Sequence, residues 1–539
     1  MTKSFWLISA GIMALAAPAQ AQTQPANQAP AQASEPETGG EIVITAQGRA
    51  QILQDVPIAV TAVTADAMQN SGATDIRQLN QLAPSLLVSS TGSEANGSAR
   101  IRGIGTVGDN PGLESSVAVF IDGVYRSRSG IGLNELGGLE RSEVRRGPQG
   151  TLFGRNASAG LINIVSKKPN LNESSGYAEA SYGNYDYMRL GAGLTGPIGD
   201  SGLGYRLDGV WVQRDGYYRN VTQGGDSEGR VNDRDRFFIR GQLLYEPNNQ
   251  LSLRLIGDYS HRDESCCGAV YISTAETFDP TPGTPGDFST NPTNRIVTIL
   301  KELGGVLPSD GDPYNRQIAV TPNRTFKNTT KDYGVSLQAD YDFGGAKLTS
   351  ITAYREYKSG GAGDFDYGNV DIIYRADDGN AFRQFHTFSQ EMRLQGSAFD
   401  DKLDWLIGGY YADEKLKLVD NLKFGTQYGA FAACRAIAGT GQQPSPLFAF
   451  RDVTQPGCLS PLGRLIVQGL VPGTTPAFGA ATPLILAGLD RLSTVNDVGD
   501  NRAVYNQSSE NFAFFTHNIF NITDALSLTL GARYTNEKK

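Results

Sequence analysis

The chain has 539 residues, 39% of them hydrophobic and 19% charged, enough for a sizeable core and more than one domain, which excludes disorder throughout. Glycine occupies 64 positions, well above the usual ~7%, alongside 23 Tyr and 23 Phe with no collagen-like period, a mixture that suits many strands and turns. A formal charge of −9 offers no basic surface for nucleic acid, and three histidines with four cysteines leave little for metal or thiol chemistry. Past the first residues there is no apolar run of about 18, which excludes helical membrane spans but not a membrane barrel, whose strands need only about 10 residues each.

Lys3, the apolar run Phe5 to Ala17 and the small-x-small site Ala19-Gln20-Ala21 predict an export signal over residues 1–21, with a short membrane anchor as the alternative. Export places the mature chain, from Gln22, where disulfides can form. Residues 22–40, rich in Gln, Ala, Pro, Thr and Glu, read as a disordered tether. Glu41-Ile42-Val43-Ile44-Thr45-Ala46 is rich in β-branched residues. It either pairs by its backbone with another protein's sheet or forms an edge strand of the domain that follows.

From Gln51 to Pro169 a globular segment is expected, with a strand over Asp55 to Thr61 and two short helices capped by Thr64 and Thr74 and closed by Gly72 and Pro84. Three further strands are expected at Ala99–Gly103, Val117–Tyr125 and Leu161–Lys167. Gly103-Ile104-Gly105-Thr106-Val107-Gly108 fits a dinucleotide fingerprint, with Asp122 at a suitable distance. Asp109-Asn110-Pro111-Gly112 breaks the helix such a site requires, leaving a plain loop. Arg126 and Arg128 either meet an anionic ligand or are simply solvated.

After Leu171 the pattern becomes long strands with strict alternation, as where Tyr333, Val335, Leu337, Ala339 and Tyr341 share one face and Asp332, Gly334, Ser336, Gln338 and Asp340 the other. Eleven strands are expected, starting near Gly176, Asp186, Gly204, Arg234, Gln250, Lys331, Ala346, Arg383, Lys402, Asn511 and Leu526. A sandwich would also alternate. The asymmetry of the connections favours a barrel: short turns such as 342–345 and 397–401 interleave with long connections at 262–327 and 419–505. Cys434 and Cys458 share one long connection and form an expected disulfide. The adjacent Cys266 and Cys267 pair with each other or with those two. Asp364, Asp366 and Asp371, with Gly368 and Asn369, form either a calcium-like loop lacking the position-12 glutamate or a solvated one. The proline-interrupted apolar stretch Leu462 to Leu489 either caps an entrance or packs on itself. No nucleophile set or acid/base pair is identifiable, so no enzyme, cofactor or resident metal is expected.

Arg145-Arg146-Gly147-Pro148-Gln149-Gly150-Thr151-Leu152-Phe153-Gly154-Arg155-Asn156, followed by Gly160 to Pro169, closely resembles the plug signature of TonB-dependent outer-membrane receptors. Arg100, Arg102 and Gly103, and Asp122 and Gly123, also match the family's plug, and Glu41 to Ala46 falls where the family carries its TonB box. The resemblance implies a mainly β fold, an N-terminal α+β plug domain followed by an antiparallel transmembrane β-barrel. The domains would be a signal peptide 1–21, a periplasmic tether 22–40, a TonB box 41–49, a plug 50–169 and barrel strands 170–539. It implies the outer membrane as location, outer-membrane lipid and TonB with its inner-membrane energising complex as partners, and uptake of a scarce bulky nutrient. That nutrient is most often a ferric siderophore, and in other members cobalamin or an oligosaccharide. The alternatives are a non-transporting sensing or adhesion receptor, or a non-functional truncated product. A plugged barrel needs about 22 strands, so the eleven expected here, ending on Glu537-Lys538-Lys539 rather than an aromatic residue, lead to the expectation that roughly half a barrel is present.

Overall fold

The computed structural model describes residues 42–539 except 45–47, 50, 74, 92, 107–109, 111, 128–136, 223–228, 273–275, 279–288, 292–294, 440–445 and 524. The expected signal peptide, the tether, Glu41, Thr45, Ala46, Thr74 and Arg128 therefore lie outside the described residues.

The plug is an α+β unit. Its five-stranded sheet runs in the order Val60–Thr64, Leu139–Arg146, Gly160–Ser166, Val117–Ile121, Val124–Arg126, and Gly160–Ser166 pairs parallel to Val117–Ile121. The strand expected over Asp55 to Thr61 starts later, at Val60. Pro57 has no amide to give a ladder, and Leu53–Asp55 turns as a 3-10 helix instead. Thr64 caps helix Ala65–Ser71, accepting from the Ala67 amide at 3.2 Å, and Gly72 closes it at φ 71°. The second helix, Ile76–Gln81, is 3-10 and is capped by Asp75 rather than Thr74, through a reciprocal box with Gln78. Met68, Ile76 and Leu79 from these turns meet Val119, Val144, Ile162 and Ile164 of the sheet in one buried core.

The strand expected over Val117 to Tyr125 is a hairpin, reversed at Asp122 (φ 49°) and Gly123 (φ 78°), a conformation that only an Asp-Gly type of turn adopts readily. Ile104–Gly105 is a short strand and Thr106 and Asn110 are not helical; residues 107–109 and 111, where the fingerprint would open its helix, lie outside the described residues.

Beyond the plug, eleven consecutive antiparallel wall strands are found among the described residues, from Ser175–Gly183 to Leu526–Lys538. Register runs unbroken over most of the sheet, so the alternation is transmitted from strand to strand, as in Leu255↔Leu337 and Val335↔Tyr354. One face carries Leu207, Leu255, Leu337, Ile407, Phe514 and Leu528, all exposed; the other carries Asp208, Arg240, Arg254, Asp332 and Glu414, all buried against the plug side. Outward aromatics frame the apolar band: Tyr245, Tyr341 and Phe520 near the short turns, and Tyr333, Tyr354, Tyr411 and Phe512 eight or so residues up the strands. Spacing of that kind matches a barrel wall with its aromatic girdles. The long connections are folded in their own right, with small sheets such as Gly363–Asp364, Ile373–Arg375, Leu422–Phe424, Val498–Gly499 and helices Arg295–Glu302, Tyr428–Ala438, Pro461–Val467 and Thr482–Ser493.

Candidate ligand and coupling site

The signature loop is a device for aiming two side chains. Gly147 (φ 87°) turns the chain out of strand Leu139–Arg146, a single helical turn Gly150–Phe153 follows, and Gly160 (φ 144°) returns it to the sheet where a Cβ would strike the Arg145 carbonyl. Arg155 then reaches Glu114 of the plug at 3.0 Å and Ser509 of the wall at 3.3 Å, and ion-pairs with Glu537. Asn156 donates to the Tyr125 hydroxyl at 2.7 Å. Burial alone would raise the Glu114 carboxyl, but Arg155 and Lys539 overcome it and hold it at about 2, so this tie between plug and wall is fully ionised near neutrality. Beneath the loop, Glu143 lies fully buried against Arg145 at 2.5 Å and Arg141 at 2.9 Å, and these guanidiniums outweigh burial to keep its pKa below the ordinary value.

The remaining signature positions are structural in the same sense. Asp122 accepts from the Ser166 amide (2.9 Å) and hydroxyl (2.8 Å), with Arg254 of the wall donating to both residues. Arg100 donates to Ser89 at 3.2 Å, and Arg102 (φ 54°) with Gly103 (φ 79°) turns the hairpin into Ile104–Gly105. Arg146, Pro148 and Gly150 stay at the loop surface.

Arg126 lies beneath the wall. It is 6% exposed and faces Arg355, Asp332 and Asp258 of the wall, and burial together with Arg355 pushes its guanidinium down to about 10. The sequence offered it as an exposed arginine because nothing local shows the wall that covers it.

Val43–Ile44 pairs antiparallel with Gln51–Ile52; Ile44 is buried and Val43 is 48% exposed. The described part of the sticky segment is thus already a β edge.

A cavity of about 360 Å³ lies between plug residues Asn96 and Asn110 and the outer ends of the wall. Its lining includes Phe365, Tyr367, Phe382, Arg375 and Arg383. Arg375 is held by Asp420 at 2.6 Å and lies over the Phe365 ring at 4.8 Å, which fixes a cationic, aromatic surface facing the plug. Sequence reasoning missed these residues. The only signal was the density of Phe, Tyr and Arg at strand ends.

Cys434 is bonded to Cys458, Cα atoms 5.0 Å apart, and Cys266 to Cys267. Around Cys434–Cys458, Ile299, Ile437, Val467, Leu486 and Leu489 form a separate small core, which takes part of the apolar stretch Leu462 to Leu489, while Leu462, Leu465, Leu470 and Leu484 stay exposed. The acidic loop is not a metal cage. Asp371 is held by Arg324 at 2.8 Å, Asp366 accepts three backbone amides at 3.0 to 3.1 Å, and among the described residues no three His, Cys, Asp or Glu side chains gather in metal-holding geometry.

An α+β plug against a wall whose apolar side chains face outward and whose charges face inward is the architecture of a plugged outer-membrane barrel. Residues 52–161 match the family model "TonB-dependent Receptor Plug Domain". The pesticin receptor of Yersinia pestis is 30% identical over 174 residues, 32% of this chain and 25% of that one. The ferrichrome outer membrane transporter/phage receptor of Escherichia coli K12 is 23% identical over 297 residues, 52% of this chain and 37% of that one. Among solved structures, the ferric yersiniabactin uptake receptor FyuA from Yersinia pestis superposes with TM-score 0.59 at 16% identity, covering 89% of this chain and 56% of that one. The ferripyoverdine receptor of Pseudomonas aeruginosa superposes with TM-score 0.57 at 16% identity, covering 93% and 55%. The chain thus spans a quarter of the pesticin receptor it matches and about half of the superposed structures. Residues 52–161 thus carry the plug domain of TonB-dependent receptors, and the chain shares the fold of the receptor structures it superposes on.

Proposed function

We propose that this receptor takes up a ferric siderophore and draws the energy for import from TonB. The observation that carries the reading is the cavity between Asn96 and Asn110 of the plug and the aromatic and arginine residues of the outer wall, because a ligand there touches both parts at once. Arg375 and Arg383 suit the anionic groups of an iron chelate, and Phe365 and Tyr367 suit its planar ones. Related receptors named for ferric yersiniabactin, ferripyoverdine and ferrichrome support the same class. Occupancy at Asn96 and Asn110 shifts the plug, the Val43–Ile44 edge leaves Gln51–Ile52, and Glu41 to Ala46 joins TonB as an added strand. The test is binding and uptake of a panel of radiolabelled ferric siderophores in iron-starved cells with and without this receptor. Deleting Glu41 to Ala46 is expected to leave binding and abolish uptake; uptake that persists unchanged overturns the TonB step, and no binding of any chelate overturns the ligand class.

A further inference from the structure

The two disulfides differ in what they can do for the fold. Cys434–Cys458 joins residues 24 apart in sequence and lies inside the core of an outer connection, at 0% and 1% exposure. Such a cross-link stabilises by restricting the unfolded chain, and the restriction grows with the length of loop it closes. Cys266–Cys267 joins neighbours and closes no loop, so it contributes almost nothing of that kind. It is placed instead where chemistry can reach it. Both of its cysteines are half-buried, and Cys266 lines the cavity between the plug and the outer wall. Exposed disulfides are the ones that exchange readily with thiols, whereas enclosed ones resist.

The chain on both sides of the pair is held. The Ser265 amide donates to Asp233 at 2.6 Å and the Cys266 amide to the Phe326 carbonyl at 3.0 Å. The Asn232 side chain clamps Gly268, accepting from its amide at 2.8 Å and donating to its carbonyl at 3.2 Å. Gly268 cannot back away, since a Cβ there would already stand 2.8 Å from Val231. Phe326 in turn lies against Tyr367, ring centroids 6.2 Å apart, and both rings face the same cavity as Cys266. Bonded sulfurs stand closer together than two free thiols. With the flanks fixed, opening the bond therefore displaces sulfur at the cavity wall rather than along the chain.

We propose that Cys266–Cys267 is a thiol-exchange site, reduced by low-molecular-weight thiols in the folded protein, and that its state resets the adjoining cavity. A small thiolate attacks one sulfur, forming a mixed disulfide and releasing the other as a thiolate that takes up a proton; a second small thiol then displaces the first. Two electrons and two protons pass to the cysteines, and the two small thiols leave joined as their own disulfide. The site uses the cavity of the proposed function but not its ligand, so its test has readouts free of any chelate. The full chain, folded in detergent micelles, is incubated with millimolar reduced glutathione, quenched with iodoacetamide and digested, and alkylation is read by peptide mass spectrometry. Cys266 and Cys267 are expected to be alkylated at least ~tenfold more than Cys434 and Cys458, the ratio that ~30 mV gives for a two-electron couple. In the same samples, amide exchange over the cavity-lining residues 326–328 and 360–367 is expected to quicken. Cys266→Ser and Cys267→Ser together are expected to show the faster exchange without glutathione and no further change with it. Should that double variant fail to fold, the two readings on the unmodified protein decide. Equal alkylation of all four cysteines, resistance of Cys266 and Cys267, or exchange unchanged by their reduction overturns the proposal. Where a ferric siderophore of the panel binds, its retention is expected to fall in step with alkylation, and equal binding to the oxidised and reduced protein overturns the effect on the cavity. Where none binds, the ligand class has failed, and alkylation and exchange still decide the thiol site.

Discussion

In the plug, Val144, Ile162 and Ile164 are withdrawn from solvent and meet one another, whereas in the wall Leu337, Phe514 and Leu528 point outward and Arg240, Asp258 and Arg355 point in. The two regions obey the same rule of matching side chain to surroundings, but their surroundings are reversed: the wall's apolar neighbours are lipid, and its interior is a lumen filled by a polar plug. Hydrophobic packing accordingly holds the plug together, and paired charge on the inner face, with the backbone ladder, holds the wall. Each of the following experiments tests that division.

The largest effect is expected inside the wall. Arg355 donates to Asp258 through both terminal nitrogens at 2.7 Å and to Asp332 at 2.8 Å, so Arg355→Met strands two carboxylates in the lumen. A loss of about 3–5 kcal/mol is expected, read as a fall in the urea midpoint of the refolded protein. Replacing Asp258, Asp332 and Arg355 together by apolar residues is expected to recover most of it.

The plug and the wall's outer face should then part company. Ile162→Ala leaves a cavity in a fully buried core and is expected to cost about 2–5 kcal/mol. Leu337→Ala, at a site 42% exposed toward lipid, is expected to cost under about 1 kcal/mol, because lipid tails fill the space. Equal costs in the two places would mean that the outward leucines pack against protein after all.

How much of this was legible in the chain differs by region for a physical reason. Alternation is local, so the wall strands are found where the pattern places them. Their outer ends run further than expected, starting at Lys327 rather than Lys331 and at Ala503 rather than Asn511, because there both faces meet water and polar residues alternate with polar ones. The Arg145 to Asn156 motif marks the plug, yet the partner of Arg155 on the wall, Glu537, lies at the far end of the chain, and no local pattern points to it. The burial of Arg126 beneath the wall is hidden from local pattern for the same reason. The helices and small sheets of the long connections escaped because they are fixed by contacts such as Ile299 with Ile437 and by Cys434–Cys458, which close across many residues.

The tie between plug and wall has its own signature in acid. Glu114 titrates at about 2 in the fold and near 4.3 when unfolded, so its contribution is complete above the unfolded value and disappears as pH falls toward 2. Solvent screening of this part-exposed group holds that contribution to about 1–2 kcal/mol. Arg155→Met is expected to remove it, making stability between pH 5 and 2.5 less steeply pH-dependent than in the unmodified protein. An identical acid limb would show that the plug loop is held by its turns alone.

The smallest effect lies in the outer connections and has the opposite sign. Asp364 is buried, accepts from the Thr321 amide at 2.9 Å, and stands beside Asp366, whose oxygens are already taken by the amides of Gly368, Ile372 and Ile373. Burial, and then the neighbouring Asp366 charge, push Asp364 up to about 8, so the proton it carries is part of the folded loop. An acid raised in the fold stabilises fully below its unfolded value near 3.9 and loses that contribution as pH climbs toward 8. Protease cleavage within residues 362–381 is therefore expected to quicken between pH 5 and 9, and Asp364→Asn, which supplies a neutral group of the same shape, to abolish the dependence. If cleavage is as pH-sensitive in Asp364→Asn as in the unmodified protein, the loop is held instead by the Arg324–Asp371 pair. The charge rule drawn from the inner wall, matched ions in a water-poor place, would then extend to the outer connections as well.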